Sequence, residues 1–302
     1  MRKRLYFFLL LILALSGCSR PEKEEGFTVV AVDFPSYDAA RAVMGTEGLT
    51  MLLPPGSGSH SYDPTPKDMI ALATADAVIY TGGPSDYWVE TVLDSLDSKP
   101  AVFRLIDQVE LLYEERKEGM EAEEEEHEID EHVWTSPVNE AVLVNNLAEF
   151  LAGLNEDMRD EYEKGRDERL SELSRLDREL RELVSSSSGH TLIFASRFPL
   201  IYFTREYGLD YYAAFPGCAE ETEPSARTIA FLIDKARELE VPAVLCIELS
   251  SPSIARVIAG EAGCQVMEFN TMHNVTLIDF SRGADYVSLM EENLKVLREV
   301  LA

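Results

Sequence analysis

The chain has 302 residues, with 27 lysines and arginines against 55 aspartates and glutamates and a formal charge of −28. That length suits two domains, and that charge excludes nucleic acid as a partner, because phosphate backbones reward clustered Lys and Arg. A negative field of this size attracts cations, although a solvated acidic surface alone also gives a low isoelectric point.

Arg2, Lys3 and Arg4 precede an apolar run from Leu5 to Leu15, which closes on Leu15-Ser16-Gly17-Cys18. This is the three-part layout of a secretory signal. The run is short for a bilayer-spanning helix, which takes about 20 residues. Leu-Ser-Gly-Cys resembles the bacterial lipobox, which implies a signal peptide over 1–17 and a lipidated Cys18 heading the mature chain. Acyl chains there would anchor the protein to a membrane from its extracytoplasmic side. The alternative is an ordinary cleaved signal with an incidental cysteine. Residues 18–27 are polar and turn-forming, as a flexible tether would be.

Strand-like runs then appear at 28–32, 49–53, 77–81 and 101–106, short and rich in Val, Ile and Leu. Such runs suit strands covered on both faces. Helical segments fall between them at 66–75 and 85–96. The segment 114–131 holds eleven acidic residues against two basic ones, with His127 among them. It reads as a solvated, disordered loop that attracts cations only weakly. From Pro137 to Val184 strand signals vanish, and a charged helix is expected from Asp157 to about Val184. Leu170, Leu173, Leu176, Leu180 and Leu183 put one apolar stripe on it, with Gly165 its weak point. The alternation returns with strands at 191–195, 211–215, 243–249 and 265–269 and helices at 199–207, 224–240, 252–262 and 284–301. The expected fold is therefore α/β in two lobes, each a mostly parallel sheet flanked by helices, linked by a long rigid helix. The boundaries follow: an N-terminal lobe at 28–153, the linking helix at 154–187 and a C-terminal lobe at 188–302.

Cysteine is sparse. Besides Cys18 there are Cys218, Cys246 and Cys264, so an intramolecular scheme leaves one unpaired, and Cys246–Cys264 is the first disulfide to test. Three of the five histidines sit in loops after a strand or before a helix. His60 precedes Thr65-Pro66, a good N-cap followed by proline at the first helical position, with Asp68 placed for a capping box. His132 precedes Ser136-Pro137, and His273 follows the last strand-like run. Loops at strand C-termini are where open α/β sheets bind ligands, and neutral imidazole is the commonest ligand of divalent transition metals. Three histidines in equivalent places point to a metal site. His190 reads as structural and His127 as exposed.

His60-Ser-Tyr-Asp-Pro-Thr-Pro66, Glu131-His-Val-Trp-x-x-Pro137, Tyr202-Phe-x-x-x-Tyr-Gly-Leu209 and Glu223-Pro-Ser-Ala226 together resemble the zinc/manganese substrate-binding lipoproteins of ABC transporters. The resemblance runs from about Thr28 to the segment 286–293. It implies two α/β lobes bridged by a long helix with metal in the cleft, and it matches His60 and His132 to the family's N-lobe ligands. Arg197 stands where many members carry a third histidine, and arginine, permanently cationic, cannot coordinate. His273 falls close to the fourth position, often an aspartate. Cys218 is the favoured residue to complete the set, with Glu220 and Glu221 as alternatives and a buried or disulfide-bonded role for the thiol also open. Imidazoles with a thiolate favour Zn²⁺, with Mn²⁺ the second candidate, because manganese prefers harder oxygen ligands.

The function implied is extracytoplasmic capture of Zn²⁺ by a lipid-anchored monomer and delivery to an ABC permease and its ATPase. A lipid-anchored zinc metallohydrolase is the competing class. It would need an open coordination position and a nearby base, and no His-Glu-x-x-His motif is present. An adhesin or metallochaperone on the same scaffold is the third reading.

Overall fold

The computed structural model describes residues 26–58, 62–121, 128–217 and 223–302; Cys18, His60, His127, Cys218, Glu220 and Glu221 lie outside the described residues. The first half builds a sheet from β1 (Val29–Ala31), β2 (Leu49–Met51), β3 (Ala77–Tyr80) and β4 (Ala101–Arg104), in the order β2-β1-β3-β4 and parallel throughout. Its helices are α1 (Phe34–Met44), α2 (Pro66–Thr74) and α3 (Tyr87–Ser95). Two long helices follow, α4 (Pro137–Leu154) and α5 (Arg159–Ser186). The second half repeats the plan with β5 (Thr191–Phe198), β6 (Asp210–Pro216), β7 (Ala243–Ile247) and β8 (Gln265–Phe269), ordered β6-β5-β7-β8 and again parallel. Its helices are α6 (Ile201–Tyr207), α7 (Ala226–Glu238), α8 (Ser253–Ala262), α9 (Leu277–Ser281) and α10 (Tyr286–Val300).

The central strands β1, β3 and β7 are apolar and buried at every position because both faces of each sheet are covered there. Val29, Ala77, Ile79 and Phe103 turn to a core shared by the two lobes, whereas Val30, Val78 and Tyr80 meet Leu72 of α2 and Val89 and Leu93 of α3 on the outer side. In the second sheet Leu192, Phe194, Leu245 and Phe269 face the shared core, and Ile193, Val244 and Cys246 pack on Leu232 of α7 and Ile258 of α8. The shared core runs through Leu143, Leu147 and Leu151 of α4 and Leu173, Leu176 and Leu180 of α5. The two sheets therefore rest on one continuous apolar mass.

The stripe on α5 extends toward its N-terminus through two residues that leucine spacing does not reveal, Tyr162 and Arg169, both buried. Arg169 Nη1 lies 2.8 Å from Asp38 of α1, and Nη2 lies 3.5 Å from Asp285, the N-cap of α10. Asp38 also accepts the backbone N–H of Tyr286 at 3.0 Å, and Arg41 donates to the carbonyl of Ala284 at 2.9 Å. One guanidinium thus ties elements of both lobes to the linking helix. Gly165 is not a weak point but a contact. A Cβ there would lie 2.5 Å from the carbonyl oxygen of Ala42 and 2.6 Å from that of Val43, so only glycine lets α5 cross the end of α1 so closely.

Beside this cluster Glu140 of α4 is buried, and burial raises its carboxyl to about 8 despite the attraction of Arg169. Asp38 opposes ionisation from the other side. A folded-state pKa above the unfolded value means the native state holds an extra proton between roughly pH 4.5 and 8, so stability falls as pH rises through that window. Urea unfolding of Glu140→Gln and the parent at pH 6 and pH 9 checks this: the parent loses stability relative to the variant on going to pH 9. Parallel changes in the two proteins would contradict it.

Cys246 and Cys264 are free thiols, so the expected disulfide is not formed. The register explains it. Cys246 pairs with Glu268, whereas Cys264 precedes Gln265, the partner of Ala243. The two cysteines are therefore about four residues apart along the strand direction, roughly 13 Å at the usual rise, beyond the reach of a bridge.

Candidate metal site

His132 sits at the start of a 3-10 turn, Val133–Thr135, that leads into α4. Asp130 holds it twice, accepting the His132 backbone N–H at 2.9 Å and facing its Nδ1 at 2.8 Å. Thr135 donates its hydroxyl to the His132 carbonyl at 2.8 Å, and Ser136 caps α4. Glu131 reaches the loop before α3, accepting from Ser85 N–H at 3.1 Å and from the Ser85 hydroxyl. Gly83 permits that approach, since a Cβ would lie 2.1 Å from Glu131 Oε2. Below this loop, burial together with Asp33 and Glu131 pushes the Asp86 carboxyl well up.

The C-lobe supplies its half from the loop after β8. Trp134 donates its indole N–H to the Thr271 carbonyl at 2.9 Å, and its ring stands edge-on to His273 at 5.3 Å. The rings of His132 and His273 are 4.3 Å apart between centroids, and the residues are 0% and 6% exposed. Two histidines 141 positions apart in sequence thus share one buried place. Nδ1 of His273 lies 2.8 Å from the Thr271 hydroxyl, as Nδ1 of His132 lies against Asp130. With Nδ1 of each ring engaged by an oxygen, Nε2 is the nitrogen that could take a metal ion.

Between Thr271 and His273, Met272 adopts φ +60°, a left-handed conformation costing a side-chain-bearing residue about 1–2 kcal/mol. Buried hydrogen bonds hold it there. Glu248, at the end of β7, accepts from Thr271 N–H at 2.7 Å, the Thr271 hydroxyl at 2.6 Å and His273 N–H at 3.1 Å. Burial raises the Glu248 carboxyl, and these three donors pull it back. Asn274 then crosses to the other lobe, donating to the carbonyls of Pro54 and Ser57 at 2.8 Å each. That strand-end loop is the one leading to His60. At its far end the capping box of Thr65 and Asp68 is formed, and Tyr62 donates to Asp68 at 2.7 Å.

Arg197 lies on β5 opposite Phe215, half-buried, its Nε without a hydrogen-bond partner among the described residues. His190 is exposed and lies just before β5. Among the described residues no group of three His, Cys, Asp or Glu side chains is arranged to hold a metal. The histidine pair is two donors, and every other candidate named from the sequence lies outside the described residues.

The acidic segment departs from the solvated loop expected of it. Its described parts lie against the C-lobe. Lys117 pairs with Asp210, and Arg205 with Glu115 at 3.2 Å. Glu121 donates its N–H to Ala214 O of edge strand β6 at 2.9 Å. Its carboxylate accepts from Ser225 N–H and the Thr228 hydroxyl, at 2.7 Å each, at the start of α7. Tyr113 and Ile129 form an antiparallel bridge, and the Tyr202 hydroxyl joins both arms, accepting from Leu112 N–H at 3.0 Å and donating to Asp130 O at 2.8 Å. Gly217 lets β6 approach, since a Cβ there would lie 3.1 Å from Asp130 Oδ2. The loop carrying His132 is thus fixed to the C-lobe as well as to its own.

Two parallel α/β lobes on one core, with an imidazole from each meeting in the cleft, define a two-lobed solute-binding fold. Residues 29–300 match the family described as zinc-uptake complex component A, periplasmic, and the chain belongs to that family. It is a family of transport components and not of enzymes. The zinc-binding lipoprotein AdcA of Streptococcus pneumoniae is 29% identical over 294 residues, 95% of this chain and 58% of AdcA, so this chain spans little more than half of that relative. The high-affinity zinc uptake system protein ZnuA of Bacillus subtilis is 28% identical, over 94% of this chain and 90% of ZnuA. The crystal structure of the Zn(II)-bound ZnuA-like domain of Streptococcus pneumoniae AdcA superposes with a TM-score of 0.77 at 26% identity, covering 91% of this chain and 98% of that one.

Proposed function

We propose that this protein captures Zn²⁺ outside the cytoplasm and passes it to an ABC permease driven by its ATPase, while Cys18 holds it to the membrane by lipid. The observation that carries the reading is the buried His132–His273 pair, one ring from each lobe, with both Nδ1 atoms bound to oxygen. Zinc prefers four tetrahedral ligands drawn from imidazole and thiolate. In this reading His60 joins the pair from the loop that Asn274 braces, and Cys218 completes the set, with Glu220 or Glu221 as the alternative donor. Family membership and the names of the two relatives support zinc as the cargo. A ligand shell closed by protein atoms suits carriage rather than hydrolysis.

Titration of metal-stripped protein tests it. One equivalent of Zn²⁺ binds tightly, Mn²⁺ binds at least about 100-fold more weakly given its preference for oxygen, and zinc protects Cys218 from alkylation. Absence of stoichiometric zinc binding, or equal affinity for manganese, would overturn the reading. Full alkylation of Cys218 in zinc-loaded protein would transfer its place to Glu220 or Glu221.

A further inference from the structure

We propose that Glu248, acting through the Thr271 hydroxyl, is the positioning residue that fixes His273 in the tautomer able to take metal. This deepens the zinc-capture reading and rests on it. Glu248 Oε2 accepts the backbone N–H of Thr271 at 2.7 Å, and Oε1 accepts that of His273 at 3.1 Å. Both oxygens are therefore already acceptors. The Thr271 hydroxyl, 2.6 Å from Oε1, has one proton and gives it to the carboxylate. Its oxygen can then only accept from His273 Nδ1, 2.8 Å away, so the imidazole proton sits on Nδ1 and the lone pair on Nε2. Isolated neutral imidazole side chains have no such enforcement. All three residues are buried, so water does not compete for these bonds.

The same carboxylate also holds the backbone on both sides of Met272, whose φ of +60° aims the loop. Glu248 thereby sets the direction of the loop and the proton of the ring together. Asp130 does the equivalent for His132 directly, facing Nδ1 at 2.8 Å without an intervening hydroxyl. The two lobes use different devices for one result, and the C-lobe device is three residues long. Partners of this kind typically change metal affinity by about 10–100-fold when removed.

The test is Thr271→Val in the full chain, which keeps the shape of the side chain and removes the hydroxyl. The five histidines of the chain make ¹⁵N spectra of the imidazoles easy to assign. The parent shows the His273 proton on Nδ1 before metal is added. In Thr271→Val that proton moves to Nε2, and zinc affinity falls by about 10–100-fold, while Thr271→Ser restores both. Glu248→Gln supplies a second arm: it weakens zinc and shifts the His273 signals, with circular dichroism confirming the fold. Unchanged tautomer and affinity within twofold in folded Thr271→Val would overturn the proposal. Failure of the zinc reading itself is distinguishable, because His273→Ala would then bind zinc as the parent does.

Discussion

Alanine at His132 or at His273 lowers zinc affinity by about 10²–10³-fold, while alanine at His190 leaves it unchanged. The magnitude follows from sharing a structural zinc site's binding energy, about 10–16 kcal/mol, among four ligands. The two losses have different origins in the fold. His132 stands on a rigid turn before α4, so its removal leaves the C-lobe imidazole in place against Thr271. His273 lies on a loop held by Glu248 and by Asn274, so its removal leaves the loop but no C-lobe imidazole. His190 is exposed and lies just before β5, at the opposite end of that strand from Arg197. Competition titration against a zinc chelator, with unfolding curves to show that each variant folds, measures all three. Affinity within twofold of the parent in His273→Ala would remove the C-lobe from the site.

The second large effect separates the two parts of the acidic segment. Deleting 122–127 leaves one-to-one zinc binding intact, because the attachments of Glu115, Lys117, Glu121 and Asp130 all lie outside it. Deleting 114–130 weakens zinc by about 10–100-fold, the usual consequence of removing a ligand histidine's hydrogen-bond partner. That deletion takes away Asp130, the partner of His132 Nδ1, and also the Glu121 carboxylate at the start of α7. Ser225 still caps α7, but the loss of Glu121's bonds to Ser225 and Thr228 lowers the unfolding midpoint. Asp130→Asn distinguishes the two effects, since it weakens zinc while leaving the Glu121 bonds to Ser225 and Thr228 in place. If the longer deletion binds zinc like the parent, the acidic segment is the solvated loop that its composition suggests.

Much of the architecture is legible in the chain. Short apolar runs announce the strands, and Thr65-Pro66 and Ser136-Pro137 mark helix starts that the structure contains. Helix α1 escapes that reading, although Asp33 accepts from Ser36 N–H at its N-cap and Pro35 stands in its first turn. Its run of Ala39, Ala40 and Val43 is small and mixed with polar residues that are themselves buried, so no stripe stands out. Arg169 is missed for a related reason: an arginine in an apolar stripe reads as surface until Asp38 and Asp285, more than a hundred residues away on either side, are seen to face it.

At the site, single histidines were visible as loop residues, but their convergence is a property of the fold. Nothing in the spacing of His132 and His273 tells that their rings stand 4.3 Å apart. Glu248 is hidden for the same reason, an acid at a strand end with no neighbour in sequence to explain it. Asp130 was in plain sight two residues before His132, but the many other acids around it masked its role. The attachments of the acidic segment were invisible because each is a long-range bond to β6, α6 or α7. The disulfide expectation failed on register alone, which cysteine counting does not contain.

The central claim is that one metal ion is held jointly by both lobes. Anomalous diffraction at the zinc absorption edge from crystals of the zinc-loaded full chain tests it most directly. The expected result is a single zinc within about 2.0–2.1 Å of Nε2 of both His132 and His273, with His60 as a third ligand. A zinc bound to residues of one lobe only, with His273 beyond ligation distance, or bound in the acidic segment, would contradict it.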